Sequence, residues 1–158
     1  MMFQTHLIFS ILCSFTLLKF YEINHPIIFC LTFIFFGLIP DMDMPKSKLG
    51  KKHKIISNIL HILFGHRGFI HTIFPAIFFF AIFYYYGFIE IAIASILGYL
   101  GHLLLDILTP YGLKVFYPFS KVNFRGFVKT GGFIEYIIQL LLVAVFIFQL
   151  KSFLGILF

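Results

Sequence analysis

The sequence has little charge and very little acid. Charged residues make up 11% of the 158, and only six are Asp or Glu. Cysteine is just as scarce. Cys13 and Cys30 both lie in apolar runs and belong to no C-x-x-C or other metal-type spacing, which excludes a thiolate metal site and a redox pair. The N-terminus lacks both a basic n-region and a small-residue cleavage site, so no cleaved signal peptide is expected. There is no internal repeat, and no polar stretch long enough for a separate soluble domain.

What is present is hydrocarbon. Hydrophobic residues make up 61% of the chain, 25 of them Phe, and the mean hydropathy is +1.02. A soluble domain of this length leaves too much surface in water to hide so many apolar side chains. The expected solvent is therefore the lipid bilayer. A formal net charge of +6 would suggest nucleic acid as the partner of a soluble protein. In a membrane protein the positive-inside rule explains it, and no nucleic acid is expected.

Five apolar segments, at 6–22, 26–40, 69–87, 90–108 and 133–150, predict an all-α integral membrane protein forming one domain over 1–158. The second is short for a spanning helix, a shortfall that tilt or local thinning of the bilayer accommodates. Pro75 in the third is tolerable in a membrane helix. Residues 57–64 read as a short interfacial helix. Of the twelve basic residues, ten fall in the loops 41–68 and 109–132. Five helices with a cytoplasmic N-terminus place both loops on the cytoplasmic side, as the positive-inside rule asks. The expected location is the cytoplasmic (inner) membrane, multi-pass. Tyr84, Tyr85 and Tyr86 then form an aromatic belt at the outer interface.

On that topology the ionisable residues gather. His6 opens helix 1, Asp41 and Asp43 follow helix 2, and His66 and His71 flank the start of helix 3. His102 and Asp106 close helix 4, and Glu135 opens helix 5. All eight fall on one side of the membrane. His102 and Asp106, in "GHLLLD", are four residues apart and leave one helix face together. Imidazole nitrogens mixed with carboxylate oxygens, without thiolates, suit zinc, manganese or iron. Taken singly, each has an ordinary structural role: capping for "PDMD", a hydrogen-bonded pair for His102 and Asp106, a helix-dipole contact for Glu135. Their convergence favours a metal site instead. His25 lies at the opposite side, His53 in a lysine run and His61 on the interfacial segment, so these three stand outside the set.

"GLIPDMDMPKSKLG", "GHRGFIHT", "GYLGHLLLDILTPYGLKVFYPF" and "TGGFIEY", preceded by "THLIFS", resemble in that order the YdjM-like family of inner-membrane metal-dependent hydrolases. More remotely, the His-Asp pattern is similar to the zinc-dependent phospholipase C and single-strand nuclease superfamily, in which an H-x-x-x-D helix pair binds a zinc cluster that hydrolyses phosphate esters. That resemblance implies that His102 and Asp106 are ligands and that Asp106 is a metal bridge. The chain departs from the superfamily in having no Trp, and Gly131 stands where an H-x-x-x-E pair with Glu135 would need His. One or two ions are therefore expected rather than three.

The expected function is a membrane-bound, metal-dependent hydrolase acting on a phosphate ester of a lipid or lipid-linked substrate, hence phospholipase-like. His6, Asp41, His66, His71, His102 and Asp106 are the expected ligands. Asp43 and Glu135 are the expected bases or further ligands, and Arg67 is expected to neutralise the phosphate. A metal-ion or proton transporter is one alternative, and it requires ionisable residues stepping through the bilayer depth. The other is a non-catalytic membrane protein with a structural metal, which requires complete coordination by protein.

Overall fold

A computed structural model describes residues 1–43 and 68–155, with the side chains of residues 42, 43, 153 and 154 left aside. Its five α-helices are α1 (Phe3–Phe20), α2 (Pro26–Leu38), α3 (Ile73–Tyr85), α4 (Ile89–Ile107) and α5 (Phe133–Gly155). They match the five apolar segments to within a few residues. The all-helical membrane architecture read from the sequence is the one observed. A single isolated bridge, Leu113 to Phe124, is the extended pairing among the described residues. The candidate interfacial helix at 57–64 lies outside the described residues.

Local chemistry sets the helix ends. Pro26 opens α2, where its fixed φ suits the first turn and its missing N–H costs nothing. Gly87, at φ +79°, stops α3 in a left-handed conformation that lets α4 begin two residues later. At the same end of the bundle, Glu90 accepts the backbone N–H groups of Asn24 and His25, at 2.6 and 3.1 Å, and His25 Nδ1 lies 3.1 Å from its second oxygen. This ties the α1–α2 turn to the start of α4.

Buried polar side chains lie beside three buried apolar clusters, under a largely apolar surface. Thr5, His6, Ser10, Ser14, Ser95, His102, Asp106 and Glu135 are buried, whereas Ile27, Leu31 and Phe35, which form one stripe of α2, face outward. Buried polar groups beneath an apolar exterior are what lipid as solvent selects. Helices α1, α4 and α5 are long and apolar enough to cross a membrane. Helices α2 and α3 have 13 residues each, about 20 Å of rise at 1.5 Å per residue.

Helix α4 is the hub. It packs against α2 most extensively, then against α3 and α1, while α5 leans on α1. Its inward face (Ala94, Ser95, Gly98, Tyr99, Gly101, His102, Leu105, Asp106) is mostly small in its first half and polar toward its end. Small residues let membrane helices approach until backbones touch, where dispersion and polar contacts replace the hydrophobic drive that lipid cannot supply.

Candidate metal centre

Four chain segments deliver donors to one end of this hub. The last turns of α4 carry His102 and Asp106, whose i,i+4 spacing places both on the inward face. His6 arrives from the second turn of α1. Asp41 lies on a 3-10 turn, Ile39–Asp43, that continues α2. His71 ends a second 3-10 turn, Phe69–His71, just before α3. That turn is held twice: the Tyr99 hydroxyl donates to the Ile70 carbonyl, and Thr72 Oγ1 donates to the Phe69 carbonyl at 2.7 Å. The α4 end is held too, by Thr109 Oγ1 donating to the Asp106 carbonyl at 2.7 Å and by Val128 N–H donating to Leu108 at 2.8 Å.

Asp106 is the centre of the group. Its Oδ1 lies 3.4 Å from His6 Nε2. Its Oδ2 lies 3.7 Å from His71 Nε2 and 3.9 Å from His102 Nε2. The N-terminal ammonium of Met1 also donates to Oδ1. Asp41 Oδ1 is 4.0 Å from His102 Nε2. The His6 and His102 rings stack at 3.9 Å between centroids, and His71 meets His102 edge-on at 5.4 Å. His6, His71, His102 and Asp106 are at most 1% exposed, and Asp41 retains partial access, its side chain 17% exposed.

Two overlapping sets have the spacing to hold a metal ion: His6, Asp41 and His102, and His71, His102 and Asp106, with the donor atoms of each set within 4.8 Å of one another. Hydrogen bonding identifies the ligand atom of the shared residue. His102 Nδ1 is 2.9 Å from the Gly37 carbonyl oxygen. A carbonyl only accepts, so Nδ1 carries the proton and Nε2 presents its lone pair to the carboxylates. Metal-ligating histidines are oriented in this way by an outer partner. His102 Nε2 and both ring nitrogens of His6 are buried without a hydrogen bond. Buried polar atoms left so cost about 1–3 kcal/mol each, a cost that coordination removes. The single lone pair of Nε2 serves one ion, so both sets cannot be filled through His102 at once. Asp106, whose Oδ1 lies nearer His6 and whose Oδ2 lies nearer His71, is the residue that would serve a second ion.

The structure thus brings five of the sequence candidates together: His6, Asp41, His71, His102 and Asp106. It does not bring Glu135 to them. That carboxylate is buried, but its oxygens accept from Met2 N–H, Thr5 Oγ1 and Gly131 N–H, each at 2.7 Å. Bonded by three donors from the N-terminus of α1 and the turn before α5, Glu135 clamps those two helices together. Glu135→Gln is expected to lower stability by about 1–3 kcal/mol, because an NH₂ then faces donors, while bound metal stays unchanged. Thermal unfolding beside metal analysis checks both. His66, Arg67 and the side chain of Asp43 lie outside the described residues, as do His53 and His61. His25 is at the far end with Glu90.

Sequence reasoning missed two supports, the Gly37 carbonyl and Tyr99. The first has no side-chain signal. The second had one, since a Tyr buried in an apolar helix needs a partner for its hydroxyl and Tyr99 lies three residues before His102.

Comparison with known proteins supports a membrane assignment. A family model described as YdjM inner membrane protein matches residues 1–157. YvsG of Bacillus subtilis (strain 168) is 32% identical over 137 residues, covering 85% of each chain. The inner membrane protein YdjM of Escherichia coli (strain K12) is 39% identical over 87 residues, which are 51% of this chain and 44% of that protein. The inner membrane protein YdjM of Shigella flexneri matches to the same extent. No solved structure matches the chain.

Proposed function

The chain belongs to the YdjM family of inner membrane proteins, and from that premise we propose that it is a membrane-bound, metal-dependent hydrolase of phosphate esters carried by a lipid or lipid-linked substrate. The observation that carries this reading is the buried donor set around Asp106, in which His102 is already oriented through Gly37 for coordination. The donor chemistry, imidazole plus carboxylate without thiolate, fits zinc, with manganese or iron next. A divalent ion of this kind supplies an activated water and polarises a phosphoryl oxygen.

The residues of the chain divide the remaining work. His102 would hold the ion with either His6 and Asp41 or His71 and Asp106, among buried side chains. Asp41, the part-exposed member of the set, stands where water and substrate enter. Asp43 follows it on the same 3-10 turn and acts as the base in this reading, because Glu135 is engaged elsewhere. Arg67, four residues before His71 in sequence, neutralises the phosphate. In this reading the end of the bundle bearing the site faces the cytoplasm, since ten of the twelve basic residues fall in the sequence stretches 41–68 and 109–132.

A transport role finds less support. Among the described residues, the ionisable groups lie at the two ends of the bundle, and the middle of every helix carries none. A proton or metal pathway needs them throughout the depth.

Purified protein is expected to carry stoichiometric divalent metal, and a chelator is expected to abolish hydrolysis in a screen of phospholipids and phosphodiesters until zinc or manganese is returned. Metal analysis with Asp106→Ala as control is the measurement. Protein that purifies without metal, or whose hydrolysis survives chelation, would sink the reading.

A further inference from the structure

Helix α5 is bound to the bundle chiefly through α1. It packs on α1 through a ladder of polar contacts: Glu135 with Thr5, Gln139 Nε2 to Thr5 Oγ1 at 2.8 Å, and Gln149 Nε2 to Thr16 Oγ1 at 2.8 Å. It makes no comparable interface with α4. A cleft of about 360 Å³ therefore remains between α4 and α5 with α1 as its floor, lined by Phe9, Cys13, Leu97, Gly101, Val145 and Gln149 among others. Its lining is almost entirely carbon, and the Gln149–Thr16 pair lies on its wall.

The cleft adjoins the candidate metal centre along two helices. Phe9 is one turn from His6 on α1, and Gly101 precedes His102 on α4. A Cβ on Gly101 would lie 3.1 Å from Phe9 Cε1, so the Phe9 ring rests on the α4 backbone at this boundary. From Phe9 to Thr16 the cleft descends about 10 Å along α1, at 1.5 Å per residue.

We propose that this cleft holds one acyl chain of a lipid phosphate whose headgroup is presented at the His6/Asp41/His71/His102/Asp106 group. The proposal rests on the phosphoesterase reading above and specifies its substrate as a lipid phosphate that carries an acyl chain. A further transmembrane helix, about 10–12 Å across with its side chains, takes up roughly twice the 360 Å³ of the cleft over the same depth. Water is not favoured by an apolar wall. An apolar cleft facing the hydrocarbon region is filled by what surrounds it, and there the surroundings are acyl chains. The depth of the cleft then sets the height of the attached phosphate, at the end where Phe9 and Gly101 adjoin the histidines.

The test uses full-length protein in phosphatidylcholine nanodiscs with phosphatidic acid bearing a diazirine in its acyl chain. Cross-links are expected at Cys13, Leu97, Val145 and Gln149. Val145→Trp, which fills the cleft from α5, and Leu97→Phe, which fills it from α4, are each expected to cut them about tenfold by overpacking, with bound metal unchanged. Cross-links scattered equally over Leu31, Phe35 and Phe78 would overturn the cleft as a chain site, whether or not the protein hydrolyses phosphate. Cleft labelling without hydrolysis of any phosphate ester keeps the chain site and removes the phosphoesterase reading. Displacement by unlabelled polyprenyl phosphate at lower concentration than by unlabelled phosphatidic acid would overturn the acyl assignment.

Discussion

Asp106→Asn is expected to strip the purified protein of its divalent ion while leaving the fold in place. Asn is nearly isosteric with Asp, so the packing of α4 against α2 and α3 is undisturbed. What changes is charge and donor strength. Asp106 is the carboxylate that faces all three imidazoles, with Oδ1 at 3.4 Å from His6 and Oδ2 at 3.7 and 3.9 Å from His71 and His102. Neutral imidazoles supply lone pairs but no compensating negative charge, and a divalent ion held by them in a buried site needs an anion beside it. Changes in outer partners typically cost about 10–100-fold in metal affinity, so loss of this central carboxylate is expected to cost at least about 100-fold. Titration of metal-stripped protein and elemental analysis both measure it. The contrast with Glu135→Gln makes the test specific: a buried carboxylate is altered in each, one in contact with the imidazoles and one bonded elsewhere. Stoichiometric metal in Asp106→Asn would show that the imidazoles and Asp41 suffice and that Asp106 is only their neighbour.

Gly98→Val is expected to cause the largest loss of stability. A Cβ on Gly98 would lie 2.3 Å from the Phe33 carbonyl oxygen and 3.2 Å from the Gly37 nitrogen. Both obstacles are backbone of α2, which cannot rotate aside as a side chain can. The two helices must separate along the interface on which the bundle most depends. Overpacking of this sort costs about 1–3 kcal/mol even where the obstacles are side chains, so a fall in melting temperature of at least about 5–10 °C is expected for a chain of this size. Separation also withdraws the Gly37 carbonyl from His102 Nδ1, now at 2.9 Å, so metal affinity should fall about 10–100-fold in whatever protein remains folded. Gly155→Ala is the control, because nothing lies within 4 Å of the added methyl. Equal thermal unfolding of the two variants would mean that α2 and α4 are free to move apart.

The two variants mark the limits of sequence reading. His102 and Asp106 were legible because two polar residues at helical spacing in an apolar run violate the composition around them. Their end of the bundle followed from counting helices, which also brought His6, Asp41 and His71 to the same side. Glu135 was counted with them on the same grounds, and the grounds were incomplete. Membrane side is a one-dimensional coordinate, whereas ligation also depends on direction across the bundle, and there Glu135 faces Thr5 and Met2. Gly98 and Gly37 were invisible as functional positions, because a glycine in a membrane helix does not reveal what approaches it.

Apolar length and 3.6-residue periodicity are local properties, so the sequence by itself determined the lipid solvent, the five helices and the end at which the polar residues collect. The tertiary structure decided which atoms meet. His102 takes its orientation from a carbonyl 65 positions away, Glu135 finds its donors 130 and 133 positions away, and the cleft beside Phe9 exists because α5 packs on α1 more than on α4. Such choices depend on the shape complementarity of whole helix faces, in which the absence of one Cβ decides how closely two backbones approach.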